Sequence, residues 1–151
     1  MSSVALLWAA ISGPPRRATF KPMQGLHLTA DLHDCQCAAG WLLDAEALGA
    51  ACVEAVEASG LQCVARLFHT FPFTEHGPGG VTATLLLAES HLCLHTWPEQ
   101  RAVTLDVYVC NFGGDHSAKA HALLNALVTL MAPRHVERHA LQRGEVTTLS
   151  A

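Results

Sequence analysis

Residues 81–110 read VTATLLLAESHLCLHTWPEQRAVTLDVYVC. Val81 to Ala88 is strongly apolar and β-compatible, which predicts a central strand. Residues 91–97 resume an extended pattern, Pro98-Glu99-Gln100 reads as a turn, and Val103 to Cys110 reads as the hairpin partner. The fold is therefore decided by consecutive strands in the middle of the chain.

Working outward, residues 116–131 place Ala120, Leu123, Leu124, Leu127 and Met131 on one helical face, and Pro133 ends that helix. Val136 to Leu141 follows as an edge strand. Upstream, Leu26 to Leu32 alternates apolar and polar residues, as a strand does. Residues 44–59 start at a helix-capping Asp44, carry Leu48, Cys52 and Val56 on one face, and stop at Gly60. Residues 62–71 form a further strand. Pro72 to Gly80 then holds two prolines and three glycines, a turn-rich stretch. The expected fold is α+β: a two-layer sandwich of a mainly antiparallel sheet with two helices on one face.

The chain has 151 residues, half of them apolar and 15% charged, which is enough for one core and too apolar for disorder. Residues 1–22 read as a flexible N-terminal extension and residues 23–151 as the domain, with Met23 an alternative start. The early apolar run is too short to span a bilayer. A net charge of −4 with no basic stripe argues against nucleic acid and suits a small polar or cationic substrate. Six cysteines without a CxxC pair read as thiols of a cytoplasmic protein.

One segment does not resemble ordinary core. Ala88 to Glu99 places Glu89, Ser90, His91, Cys93 and His95 within seven positions of an extended run. Strand periodicity sends Ser90, Leu92, Leu94 and Thr96 one way and Glu89, His91, Cys93 and His95 the other. A polar group left unpaired there costs about 1–3 kcal/mol, so such a cluster calls for a reason. Ser90 alone could be a strand serine bonded to backbone. His91, Cys93 and His95 could present metal ligands, with His69 or His33 completing the set. Cys110 could be a strand-end thiol, Phe71 a core residue and Glu99 a solvated turn residue.

The blocks GlyValThr at 80–82, LeuAlaGluSerHisLeu at 87–92, HisThrTrpProGlu at 95–99 and LeuAspValTyrValCys at 105–110 closely resemble the short prokaryotic S-adenosylmethionine decarboxylase proenzymes. GlyLeuHisLeuThrAlaAspLeuHisAspCys at 25–35 is similar to that family's first strand, and PheHisThrPhe at 68–71 to its substrate-contacting segment. The resemblance spans about residues 24–145.

It implies a proenzyme that cuts itself between Glu89 and Ser90. Ser90 then becomes a pyruvoyl group, whose carbonyl takes the substrate amine as a Schiff base and draws electrons from the breaking bond. No pyridoxal-phosphate apparatus is evident, and no lysine lies in the polar segment. By the same resemblance His95 assists the processing elimination, and Thr82 stands where the family usually has a helping serine. Cys110 protonates the α-carbon after CO₂ leaves, Phe71 stacks on adenine, and Glu99 holds the ribose hydroxyls. A homodimer of cleaved protomers with sites near the interface, feeding spermidine synthesis, is also implied. No metal, nucleic-acid or membrane partner is expected. Two departures stand out: the extra residues 72–79 between Phe71 and Gly80, and Gln100-Arg101-Ala102-Val103 after Glu99. Decarboxylation of arginine or ornithine by the same chemistry, and a non-catalytic metal-binding or regulatory homologue, are the alternatives.

Overall fold

The computed structural model describes residues 24–75, 77–88 and 90–144. The expected extension 1–22 and Glu89 lie outside those residues. In chain order the elements are β1 (Gly25–Cys35), α1 (Gly40–Leu43), α2 (Ala45–Ala58), β2 (Cys63–Thr70), β3 (Val81–Leu87), β4 (Ser90–Trp97), β5 (Ala102–Cys110), α3 (Ser117–Met131) and β6 (Pro133–Arg143), with a 3₁₀ turn at Pro98–Gln100 between β4 and β5. The strands form one sheet in the order β2-β3-β4-β5-β1-β6, and every neighbouring pair is antiparallel.

The α+β sandwich follows from strand alternation. Leu26, Leu28, Ala30 and Leu32 of β1 are buried with Ala83, Leu85 and Leu87 of β3, Leu92 and Leu94 of β4, and Leu105, Val107 and Val109 of β5. Leu48, Cys52 and Val56 of α2 and Leu123, Leu124 and Leu127 of α3 close the same core. Removing this much apolar surface from water is the main drive for the fold. The opposite face carries His27, Thr29, Asp31, Thr82, Thr84, His91, Cys93, His95, Thr104, Asp106 and Tyr108, none of them buried.

Local chemistry sets the helix ends. The Asp44 carboxylate accepts from the backbone N–H groups of Glu46 (2.9 Å) and Ala47 (3.2 Å). Gly60, at φ +75°, turns the chain out of α2, and Lys119 Nζ of α3 donates to its carbonyl at 2.9 Å. α3 stops at Ala132, in the left-handed region, just before Pro133.

Two elements exceed the expectation. The one-turn helix α1 is too short for any apolar period. β6 runs eleven residues rather than six, because an edge strand exposed along most of its length has no alternation to read.

Candidate active site

β4 bears the polar segment, and its side chains divide as strand geometry requires. Leu92, Leu94 and Thr96 are buried in the core, whereas His91, Cys93 and His95 lie on the helix-free face. Ser90 opens the strand, opposite Leu87 on β3 and Val109 on β5. Its Oγ is buried and has no hydrogen-bond partner among the described residues. Leaving a hydroxyl so placed costs about 1–3 kcal/mol, while the residue as a whole is half-buried at the strand start. Cys110 follows Val109 at the end of β5 and is partly buried.

The other end of β4 gathers a second group. Thr82 and His95 are opposite each other in the β3–β4 register. Beyond them is a cleft of about 390 Å³, lined by Phe71, Thr74, Pro78, Gly79, Gly80, Val81, His95, Thr96, Trp97 and Glu99. Phe71 is 48% and Trp97 47% exposed, so both aromatic rings offer surface to a ligand. His69 meets Phe71 edge-on, with ring centroids 5.1 Å apart. The floor is held by Thr96, whose Oγ1 accepts from Val81 N–H and donates to the Leu42 carbonyl, each at 2.7 Å. Gly80 lies against that lock: a Cβ there would come within 2.0 Å of the Thr96 carbonyl oxygen.

The expected site residues thus fall into two groups. Phe71, His95 and Glu99 share the cleft with Thr82 beside them, and Ser90 sits with Cys110 at the opposite end. The five-residue step from Ser90 to His95 spans about 17 Å of extended strand, and the two side chains leave opposite faces. One chain by itself does not bring them together.

Sequence reasoning gave Trp97 no role, yet it walls the cleft. It also missed a cluster on the helix-free face near Ser90. His27 Nε2 lies 3.1 Å from Asp106 Oδ1. Tyr108 lies between His27 and His91, at 5.9 and 5.6 Å between centroids, with the Arg143 guanidinium 4.8 Å from its ring centre. Partial burial, reinforced by the nearby charges of His27 and Arg143 and opposed by Asp106, lowers the His91 pKa. Only strand register assembles this group from four strands.

Cys35, Cys37 and Cys52 are buried packing thiols, whereas Cys63 and Cys93 are half-buried. Burial pushes Cys35 up to about 11 and Cys52 to about 12, and raises Cys37 as well. All six cysteines are free. The alternation His91, Cys93, His95 does not gather ligands: no group of three His, Cys, Asp or Glu side chains among the described residues could hold a metal ion.

A sequence model described as S-adenosylmethionine decarboxylase matches residues 26–144. The chain belongs to the S-adenosylmethionine decarboxylase family. It is 36% identical to the S-adenosylmethionine decarboxylase proenzyme of Hydrogenobaculum sp. over 121 residues, covering 80% of this chain and 81% of that one. With the proenzyme of the same name from Parasynechococcus marenigrum it shares 37% over 117 residues, 77% of this chain and 83% of that one. The crystal structure of the adenosylmethionine decarboxylase from Aquifex aeolicus superimposes with a TM-score of 0.71 at 30% identity, covering 87% of this chain and 99% of that one. These matches favour neither the arginine or ornithine reading nor the non-catalytic one. The pyruvoyl group that S-adenosylmethionine decarboxylases imply has a fitting origin here, in the unpartnered Ser90 hydroxyl at a strand start. No helix among the described residues is long and apolar enough to cross a membrane.

Proposed function

We propose that the chain is a self-processing S-adenosylmethionine decarboxylase whose cofactor is a pyruvoyl group made from Ser90, and whose product serves spermidine synthesis. The observation that carries this reading is the buried, unpartnered Ser90 Oγ immediately after the Glu89–Ser90 peptide bond.

Ser90 Oγ attacks the Glu89 carbonyl carbon. The C–N bond breaks, the nitrogen takes the hydroxyl proton, and an ester joins the two halves. Removal of the Ser90 α-proton then breaks the Cβ–O bond, freeing residues 1–89 as a carboxylate and leaving dehydroalanine at position 90. Water replaces its nitrogen, which departs as ammonia. The resulting pyruvoyl group supplies a carbonyl conjugated to an amide, an electron sink that side chains lack.

The chain's own residues do the rest. Thr82 and His95 handle protons during processing. Phe71 stacks on the adenine and also favours the nearby sulfonium cation. Glu99 accepts from the ribose hydroxyls, and Cys110 returns a proton to the α-carbon. Because Ser90 and His95 stand a strand length apart, the complete site belongs to a homodimer. A second copy on the helix-free sheet face brings its His95, Thr82 and cleft to the Ser90 end of the first. Six free cysteines favour a cytoplasmic setting.

Intact-mass measurement tests the reading. Two fragments are expected, 1–89 and 90–151, the latter lacking a free amine. A single uncut chain that still releases CO₂ from S-adenosylmethionine would overturn it.

A further inference from the structure

Between Phe71 and Gly80 the described residues, 72–75 and 77–79, form a small hairpin set on the cleft. Phe71 N–H donates to the Gly80 carbonyl at 2.9 Å and closes its base. Thr74 and Gly77 exchange backbone hydrogen bonds at 2.8 and 3.1 Å, and Gly77 turns at φ +119°. Gly79 is pressed so closely on its own base that a Cβ would lie 2.4 Å from the Phe71 carbonyl oxygen. The hairpin therefore has a fixed inner side.

That inner side is part of the cleft wall. Thr74, Pro78 and Gly79 line the cavity that also holds Phe71, Trp97 and Glu99. Pro78 and Glu99 also line an adjoining groove of about 180 Å³ beside α1, so together they separate the two cavities. Without the hairpin the cleft would lose one side, opening the rings to water.

We propose that the hairpin of residues 72–79 is a specificity element for the nucleoside end of the substrate, with Thr74 and Pro78 as the residues that wall the base. The proposal rests on the S-adenosylmethionine reading above. A wall of this kind acts by excluding water from a stacked ring. It contributes to binding in ground state and transition state alike, so its loss shows in KM rather than kcat.

The base of the hairpin permits a clean test. The Phe71–Gly80 hydrogen bond is of the kind that a two-residue Asn-Gly turn closes, so residues 72–79 can be replaced by Asn-Gly. Pro78→Ala is the milder second variant, which keeps the hairpin and removes only the ring. Cleavage at Ser90, followed by intact mass, reports folding independently of substrate. Both variants should be cut like the parent. The replacement should raise KM for S-adenosylmethionine about tenfold or more, with kcat changed less than about twofold. Pro78→Ala should move KM in the same direction by less. The dissociation constant for 5′-methylthioadenosine, measured by calorimetry, should rise in parallel. If Pro78→Ala matches the parent in both KM and nucleoside affinity, and the cut replacement does too, the wall has no such role. An uncut replacement leaves Pro78→Ala as the deciding variant. If the parent itself neither binds 5′-methylthioadenosine nor turns over S-adenosylmethionine, the substrate reading fails first and takes this proposal with it.

Discussion

Thr82 and His95 face each other across β3 and β4, on the side of the sheet that no core residue occupies, about five strand positions from the serine they are expected to serve. A hydroxyl and an imidazole in opposed register can share a proton, but in one chain neither reaches Ser90.

The first prediction follows from that separation. His95→Ala alone should remain uncut, as should Ser90→Ala alone. Co-expressed, they should yield cleavage of the His95→Ala chain only, because a mixed dimer joins its intact Ser90 to the other copy's His95. Mass spectrometry reads this directly. An uncut mixture would place the processing machinery within one chain.

The proposed processing role of Thr82 rests on a side-chain oxygen, so the hydroxyl rather than the methyl should matter. Thr82→Ser should process at the parent's rate. Thr82→Val, nearly the same shape, should slow processing by about a hundredfold, the scale of a lost proton-transfer group. A gel time course of fresh protein separates these outcomes.

Cys110 is partly buried at the end of β5, beside the residue that pairs with Ser90. Cys110→Ala should still cut itself and should carry the modified residue 90, yet its kcat should fall about a hundredfold or more. Normal turnover would remove Cys110 from the protonation step.

Gly80 tests the cleft floor. A methyl group there would sit 2.0 Å from the Thr96 carbonyl oxygen and 2.9 Å from its carbonyl carbon, backbone atoms that cannot swing aside. Gly80→Ala should destabilise the protein by about 2–4 kcal/mol, seen as a lower urea midpoint. The control Gly40→Ala, which meets nothing within 4 Å, should stay near the parent.

The His91 cluster predicts a pH dependence. The folded state lowers the His91 pKa below its ordinary 6.5, through partial burial first and then the charges of His27 and Arg143, against the opposing pull of Asp106. Below pH 6.5 the unfolded chain takes up a proton that the folded chain resists. Stability is therefore retained above that pH and lost as the pH falls toward the depressed folded value. His91→Gln should flatten the acid-side loss in denaturant titrations between pH 7 and 5. His27, His95, His139, Asp106 and Arg143 share the same face and remain in that variant, so a residual slope is expected. An unchanged slope would show that His91 does not contribute.

Much of the fold was legible because it rests on periodicities of two and 3.6. Leu92 and Leu94 against His91, Cys93 and His95 identified β4 and its faces, and Asp44 and Gly60 bracketed α2. β6 was only half visible, since Arg134, Glu137, Arg138 and Gln142 are exposed on both faces and impose no pattern. The candidate chemical residues were legible as motif blocks, but their grouping was not. His27, Asp106, Tyr108, His91 and Arg143 lie on four strands, and no local spacing announces that they meet.

What the amino-acid order determined alone is which residues could carry chemistry and which way each points from its strand, because side-chain alternation is a local property of extended backbone. What only the tertiary structure decided is distance. It seated Phe71, Trp97 and Glu99 around one cleft, and it left Ser90 with Cys110 at the far end of β4. Cross-strand register and the length of an extended residue set those separations, and neither can be read from a motif.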